Sequence, residues 1–380
     1  MPGHKQERNG TQPGECPTGL TGLLPSLLPS LLPSLLPSLE GLQHRLSRTL
    51  EMLRGTAQPS NGPASLAVET TVRCDLRCPM CPRTAGHYPD QDMPDTLLYP
   101  LLESFAALGG DYLYLNGLGE PLLDPRLFEI LRRCRRLGLQ TLVSTHGGHL
   151  DEAKRSALLA EPCDVLTVSI DAFSEETYRK VRVGGELSRV RAYVQALAHE
   201  KRARRVPMHL SIQLVIMDRN RHEVPDFLHF WQQVPGVDSV RLKDEEFGLP
   251  HIADYQPRSH GEGVPCRLPW QGPLLARYNG ELYACFPMTY DNRPLGNLHT
   301  HSLAQLWQGE ALQTLRALHA QKAGAQDPSR ARCPVVQPRL PFTAGAMMVR
   351  GATAQKLIPW AEQLAYRGLL PFAHTRTRRR

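Results

Sequence analysis

The hydrophobic pattern changes at about residue 65, where short apolar runs begin to alternate with stretches of helical periodicity. The apolar runs predict strands at residues 67–71, 112–116, 139–144, 165–170, 209–215 and 239–242. The stretches between them predict helices that include residues 126–137, 153–159, 190–199 and 224–233. This alternation indicates a parallel sheet with right-handed crossovers. Six units rather than eight predict an α/β fold, a partial (β/α)6 TIM-like barrel with its chemistry in the loops after the strands.

The N-terminal segment has a different pattern. Residues 23–38 repeat Leu-Leu-Pro-Ser four times, and a proline at every fourth position excludes a helix. Ser38 then caps a predicted amphipathic helix that ends at Gly55. One face of this helix carries leucines at positions 39, 42, 46, 50 and 53. Residues 56–64 are rich in Pro, Gly and Ser, which predicts a linker. We therefore predict that residues 1–64 are an extension outside the barrel.

The C-terminal third predicts a second, smaller domain. Beyond residue 249 the alternation ends, and Asn279-Gly280 gives a hairpin turn signal before an amphipathic helix around Trp307. We predict a core at residues 65–255, a small α+β domain at 256–340 and a tail at 341–380.

Composition excludes several classes of protein. The 380 residues are 41% hydrophobic, which is ordinary for a globular chain and excludes global disorder. No apolar run reaches the roughly 18 residues of a membrane span. Four arginines among the last five residues supply more than half of the net charge of +7, so the chain has a basic tail rather than a basic domain, and nucleic acid is not an expected partner. The nine cysteines are an odd count, which argues against a disulfide scaffold and favours a reducing, cytoplasmic location.

Three of these cysteines, Cys74, Cys78 and Cys81, lie within eight residues of one another after the first predicted strand. Thiolates are soft ligands that favour zinc, copper(I) or iron–sulfur clusters. Structural zinc requires four ligands, and neither Asp75 nor His87 is suitably spaced to be the fourth. A cubane cluster held by three cysteines leaves one iron open to a substrate.

The spacing Cys-x3-Cys-x2-Cys resembles that of the radical S-adenosylmethionine (radical SAM) enzymes, and further motifs of that family occur downstream in the same order. Residues 116–121 resemble the family's Gly-Gly-Glu-Pro loop, residues 169–172 its Ser-x-Asp-Gly segment and residues 181–185 its Arg-x-Gly-Gly segment. Residues 144–147 resemble Ser-Thr-Asn-Gly, with histidine in place of asparagine. The resemblance implies a [4Fe–4S] cluster on the three cysteines and a SAM site formed by Met80, Gly117, Gly119, Glu120, Ser169, Asp171 and Arg182.

Three later cysteines resemble the auxiliary cluster domains called SPASM and twitch, which lie behind some radical SAM barrels. Cys266, Gly280 and Cys285 have the spacing of the opening motif, and Gly296-Asn297-Leu298 matches the next conserved segment of such domains. The closing Cys-x2-Cys is incomplete, because Cys333 is followed by Pro-Val-Val. The resemblance implies a second cluster on Cys266, Cys285 and Cys333 with an open or non-cysteine fourth site, or a fold whose cluster has been lost.

By this resemblance the chain cleaves SAM reductively to a 5′-deoxyadenosyl radical, which removes hydrogen from a peptide or natural-product substrate. Oxidative modification or cross-linking is the expected outcome, with an external reductant such as flavodoxin or ferredoxin. Redox-neutral radical epimerisation and a non-catalytic metal-binding or electron-transfer module stay open as alternatives. No catalytic acid or base is identified, because Phe286 stands where the sulfatase-maturating relatives have an aspartate.

Overall fold

The computed structural model describes residues 39–86, 88–244, 266–289, 292–321, 347–348, 351–353 and 356–358. The first helix, α1, covers Leu39–Arg54, and the barrel-like part begins at β1. Its strands are β1 (Ser65–Val68), β2 (Tyr112–Leu115), β3 (Gln140–Thr145), β4 (Val165–Ser169), β5 (His209–Ile216) and β6 (Ser239–Asp244). The helices after α1 are α2 (Pro82–Ala85), α3 (Asp95–Ala107), α4 (Leu127–Arg136), α5 (Glu152–Ala160), α6 (Glu175–Val181), α7 (Leu187–Ala203) and α8 (Val224–Gln232).

The later elements are shorter. They are α9 (Leu268–Gln271), β7 (Leu274–Ala276), β8 (Glu281–Tyr283), β9 (Gly296–Asn297), α10 (Leu303–Trp307) and α11 (Glu310–Ala320). None of the described helices is both long and apolar enough to cross a membrane.

All six predicted strands are present, and they pair in parallel within one sheet. Within the described ranges the strand order is β6-β5-β4-β3-β2-β1-β7-β8-β9, with β1 to β6 pairing in chain order and in parallel. Among the described residues the sheet is not closed into a barrel, which agrees with the partial barrel that the count of six units predicts. Because every strand of this run points the same way, the loops after the strands meet at one edge.

The strands of the smaller C-terminal part continue the same sheet. Strand β7 pairs with β1 in parallel, with Leu66 opposite Leu274, and β8 and β9 add antiparallel strands beyond it. The predicted boundary at residues 255–256 lies outside the described residues, so the division into a core and a smaller domain stays a prediction.

The helix predicted after the leucine repeat is present, and Gly55 follows it with φ +68°. Its leucines, however, face outward: Leu42, Leu46, Leu50 and Leu53 are 38–48% exposed. The opposite face is buried through Arg48, which donates to the carbonyls of Gly62 and Gly109, and through Met52, which packs with Trp270. Contacts with distant carbonyl groups therefore favour burial of the Arg48 face of α1. These carbonyls lie outside the helix, so the sequence pattern of the helix cannot reveal them.

Candidate active site

The three-cysteine loop leaves β1 at the edge where the parallel strands end. The Cys81 N–H donates to the Cys78 carbonyl at 3.0 Å, and the Thr84 hydroxyl donates to the same oxygen at 2.8 Å. Cys78 is buried, and Cys74 and Cys81 are half-buried. Burial raises the pKa of the Cys81 thiol to about 11, and the nearby Cys78 and Cys74 add to that rise. Burial also raises the pKa of the Cys78 thiol, so burial works against ionisation of both of these thiols.

The loop after β2 is held against the chain that leads to these cysteines. The Glu120 N–H donates to the Arg73 carbonyl at 2.8 Å, and the Leu118 N–H donates to the buried Glu69 carboxylate at 3.0 Å. A Cβ on Gly119 would lie 2.1 Å from the Thr71 carbonyl oxygen. The close approach of two backbones therefore requires glycine at position 119.

Gly117 is restricted in the same way, since a Cβ there would lie 2.8 Å from Cγ of Glu69. The Glu120 carboxylate is buried and turns toward the end of β3. It accepts from the Thr145 hydroxyl at 2.6 Å and from the His146 N–H at 2.9 Å. These contacts brace the loop and leave its glycine backbone at the edge of the sheet.

Ser169, Asp171 and Arg182 form one connected group. Asp171 has φ +64°, is fully buried and accepts from the Ser169 hydroxyl at 3.1 Å and the Val215 N–H at 2.8 Å. The same carboxylate makes an ion pair with Nη2 of Arg182. The structure thus pairs the Asp171 carboxylate with the Arg182 guanidinium.

Arg182 reaches the cysteine loop from this position. Its Nη1 lies 3.6 Å from Sγ of Cys78, and the Arg77 N–H donates to the Val183 carbonyl at 2.9 Å, which ties the two segments together. The buried Nε of Arg182 has no hydrogen-bond partner among the residues that the structure describes. An unsatisfied buried N–H beside the cysteines fits a ligand that carries a carboxylate, such as that of a methionyl group.

Met80 is buried in the main apolar core, at 8% exposure. Ala172, in place of the usual glycine, is fully buried as well. Cys134 and Cys163, which the sequence suggests are packing residues, are buried in the core.

A histidine–carboxylate group beside Cys74 was missed at the sequence level. Nε2 of His146 lies 3.0 Å from Oδ1 of Asp75 and 3.3 Å from Oε2 of Glu120, and Nε2 of His149 lies 3.1 Å from Oδ1 of Asp75. The hydrogen bonds of His146 and His149 lower the pKa of Asp75 below its usual range. Burial lowers the pKa of His146, but Glu120 and Asp75 raise it more, to about 10. The one signal in the sequence was histidine in place of asparagine at position 146.

Two of the three auxiliary cysteines lie in the described part of the chain, and Cys333 lies outside it. Cys266 lies two residues before α9, and Cys285 lies two residues after β8; both are half-buried. The Cys266 N–H points to Nδ1 of His319 at 3.5 Å. His319 is buried at the end of α11, and the spacing of cysteines gave no reason to consider it.

Comparison with known families gives two matches. Residues 68–230 match the family model described as "Radical SAM superfamily", and residues 259–334 match the SPASM "Iron-sulfur cluster-binding domain". The first match covers the three-cysteine loop, and the second covers all three auxiliary cysteines. The cofactors that the two domains imply are a [4Fe–4S] cluster with SAM and auxiliary iron–sulfur clusters.

Two of the similar curated proteins each match slightly less than half of the chain. It is 33% identical over 200 residues to the GTP 3′,8-cyclase of Lactiplantibacillus plantarum, covering 48% of this chain and 58% of that protein. It is 32% identical over 168 residues to the PqqA peptide cyclase of Methylorubrum extorquens, covering 44% of this chain and 42% of that protein. The chain thus spans about half the length of the curated relatives it matches.

Among solved structures, SuiB of Streptococcus suis bound to its precursor peptide SuiA has a similar fold. The TM-score is 0.59 at 13% identity, with 77% of this chain and 79% of that chain covered. This similarity concerns the fold.

Proposed function

The chain belongs to the radical SAM superfamily and carries a SPASM domain, and on that premise we propose that it cleaves SAM reductively and modifies a peptide substrate oxidatively. The observation that carries the proposal is that Arg182 lies beside the three-cysteine loop. Its Nη1 is 3.6 Å from Sγ of Cys78, and its buried Nε has no hydrogen-bond partner among the described residues. The thiols offer three ligands to a cluster, and Arg182 offers a directed donor to the methionyl carboxylate.

The chain's own residues supply binding and orientation. Cys74, Cys78 and Cys81 hold the cluster, and Arg182, kept in place by Asp171, orients the methionyl group. Bound there, a reduced [4Fe–4S] cluster would supply the one electron needed to cleave the C5′–S bond of SAM to methionine and a 5′-deoxyadenosyl radical. The glycine loop at 117–119 lets the backbone approach the cofactor closely, and the buried surroundings limit side reactions. Hydrogen abstraction from the substrate then yields 5′-deoxyadenosine and a substrate radical.

Retention of one auxiliary cluster is part of the proposal. The range matched by the SPASM model includes Cys266, Cys285 and Cys333, and these three cysteines are the proposed ligands. Such a cluster would accept the electron that an oxidised product must lose as the substrate radical loses a proton. Iron and sulfide analysis of anaerobically reconstituted protein tests this point. An iron content close to about four per chain, unchanged when Cys266 and Cys285 are both replaced by alanine, would exclude the second cluster.

A peptide is the favoured substrate class because similarity to a peptide cyclase reaches 32% identity and the solved neighbour SuiB holds a precursor peptide. The comparable similarity to GTP 3′,8-cyclase supports a small-molecule substrate as the second candidate. The chemistry also calls for a low-potential reductant such as flavodoxin or ferredoxin and fits a reducing cytoplasm.

Electron paramagnetic resonance (EPR) tests the proposed cluster site. Reconstituted, dithionite-reduced protein should give a cluster signal that changes when SAM is added, because SAM binds the open iron. The Cys78→Ala variant should lose the SAM-sensitive signal. A wild-type protein whose cluster signal ignores SAM would favour the electron-transfer module instead.

A further inference from the structure

Glu69 is a buried carboxylate that joins the glycine loop at 117–119 to the C-terminal part of the sheet. It directly follows β1 and is 2% exposed. Its Oε1 accepts from the Leu118 N–H at 3.0 Å. Its Oε2 faces the chain that follows β7, where the Tyr278 N–H lies 3.4 Å away and Nε of Arg277 lies 3.6 Å away. The two oxygens therefore have separate partners, one in the glycine loop and the others beyond β7.

The negative charge of Glu69 is not explained by its role in the fold. Burial raises the pKa of Glu69, and the Leu118 N–H and Arg277 oppose that rise. The positive charge of Arg277 is also shared, because its Nη1 lies 3.7 Å from Oε2 of Glu281. A neutral acceptor would satisfy a backbone N–H at a lower desolvation cost than a carboxylate. A buried carboxylate at this position therefore suits a site that receives a positive charge.

The peptide group between Gly117 and Leu118 links Glu69 to the edge of the sheet. Its N–H is the donor to Glu69, and its carbonyl is that of Gly117. Because the N–H and C=O of a trans peptide point in opposite directions, the Gly117 carbonyl points away from Glu69. Within the part of the chain that the structure describes, no backbone N–H donates to this carbonyl. A hydrogen bond from a peptide N–H to an anion polarises the peptide and makes its carbonyl a stronger acceptor.

We propose that Glu69 adapts the glycine loop to the positively charged amino group of SAM, by polarising the Gly117 carbonyl that accepts from this group. The inference rests on the proposed function, because it concerns how the same site holds SAM. Arg182 offers donors to the methionyl carboxylate, and the glycine loop offers an acceptor to the methionyl amino group. Glu69 does not touch SAM. It is a positioning residue that acts through the peptide between Gly117 and Leu118.

The test compares SAM with an analogue in which hydrogen replaces the amino group, while the sulfonium and the carboxylate are kept. Equilibrium binding of both ligands is measured with full-length, reconstituted wild-type protein and with Glu69→Gln. The glutamine keeps an acceptor for the Leu118 N–H and removes the negative charge. We expect Glu69→Gln to weaken binding of SAM about tenfold and binding of the deaminated analogue by less than about twofold.

Asp164→Asn is the matched control. Asp164 also accepts a backbone N–H, that of Thr141 at 2.8 Å, but it directly precedes β4 at the opposite edge of the sheet. The substitution removes a carboxylate of the same kind and leaves the glycine loop untouched. The affinities for SAM and for the analogue should therefore both stay within about twofold of wild type. A loss of SAM affinity in Asp164→Asn as large and as selective as in Glu69→Gln would contradict the role given to Glu69.

A second variant applies if Glu69→Gln does not take up iron. Glu69→Asp keeps the charge, but its shorter side chain draws the carboxylate away from the Leu118 N–H. It should weaken binding of SAM and leave binding of the deaminated analogue unchanged. Iron content and thermal unfolding of each variant show that the measured protein is folded and loaded.

The outcomes separate this inference from the proposed function. If Glu69→Gln weakens binding of both ligands to the same degree, Glu69 has a purely structural role and the inference is overturned. Equal affinity of Glu69→Gln and wild type for SAM would overturn it as well. In both cases a wild-type cluster signal that responds to SAM leaves the proposed function standing. A wild-type protein without a SAM-sensitive cluster signal would overturn both proposals together.

Discussion

Arg182 is the residue on which SAM binding depends most directly. Its guanidinium makes an ion pair with the buried Asp171 and lies beside Cys78, and its Nε still offers a proton. A planar group with several directed donors can serve a carboxylate, a sulfur and an aspartate at once, whereas an ammonium group cannot.

We therefore expect Arg182→Lys to weaken SAM binding about tenfold or more, because charge-assisted hydrogen bonds are lost while the positive charge stays. Equilibrium binding of SAM to the reconstituted protein measures this. Arg155→Lys is the control, since Arg155 pairs with Glu200 on the outer helices. Equal SAM affinity in Arg182→Lys and wild type would contradict the role given to Arg182.

The glycine loop gives a second prediction at this scale. Gly119→Ala places a Cβ against the Thr71 carbonyl oxygen and should cost about 1–3 kcal/mol of stability and weaken SAM binding. Gly138→Ala meets no atom within 4 Å but keeps a positive φ of +73°, so it should cost roughly 1 kcal/mol and leave SAM binding intact. Thermal unfolding and SAM titration of both variants distinguish strain from site damage.

Motif spacing predicts the cysteines, the glycines and Arg182, because these residues act through local loops of fixed length. It does not predict that the Asp171 carboxylate forms an ion pair with Arg182, or that His146 contacts Asp75. These contacts join loops separated by up to 71 positions, and only the folded sheet edge brings them together.

At the scale of elements, the pattern of α1 predicts the extent of the helix but not which of its faces is buried. The pattern predicts its length and its end at Gly55, and the structure confirms both. Its aligned leucines suggest a buried stripe, yet the buried side is formed by residues such as Arg48 and Met52. Arg48 can be buried because two distant carbonyls accept its protons, and no local pattern contains them.

Two variants on opposite faces of α1 test this orientation. Met52→Ala should lower the free energy of unfolding by about 2–5 kcal/mol, since Met52 is buried at 1% exposure. Leu46→Ala should change it by no more than about 0.5 kcal/mol, since Leu46 is 48% exposed. Denaturant unfolding of the two proteins decides the matter, and the reverse order of effects would show that the leucine face is the buried one.

At the scale of the whole molecule, one sheet joins the cysteine-loop region to the C-terminal part. Strand β7 pairs with β1, and the buried Glu69 at the end of β1 lies 3.6 Å from Nε of Arg277. Glu69 also accepts from the Leu118 N–H in the glycine loop. The sequence predicts the two parts separately, because the pairing of β7 with β1 spans about 200 residues and leaves no local pattern.

The Glu69–Arg277 pair links the two parts energetically. Arg277→Met leaves a buried carboxylate without its cation and should cost about 3 kcal/mol of stability. Adding Glu69→Gln should recover part of that loss. Unfolding free energies of the two single variants and the double variant form a cycle, and effects that add within about 0.5 kcal/mol would show that the pair is not coupled.

The central claim is that the site at Cys74, Cys78 and Cys81 cleaves SAM. Its most direct test is anaerobic incubation of reconstituted protein with dithionite and SAM, with quantification of 5′-deoxyadenosine by liquid chromatography and mass spectrometry. We expect steady formation of 5′-deoxyadenosine by wild type and none by Cys78→Ala beyond the protein-free background. Wild-type protein with a full cluster and active reductant that forms no more nucleoside than Cys78→Ala would contradict the claim.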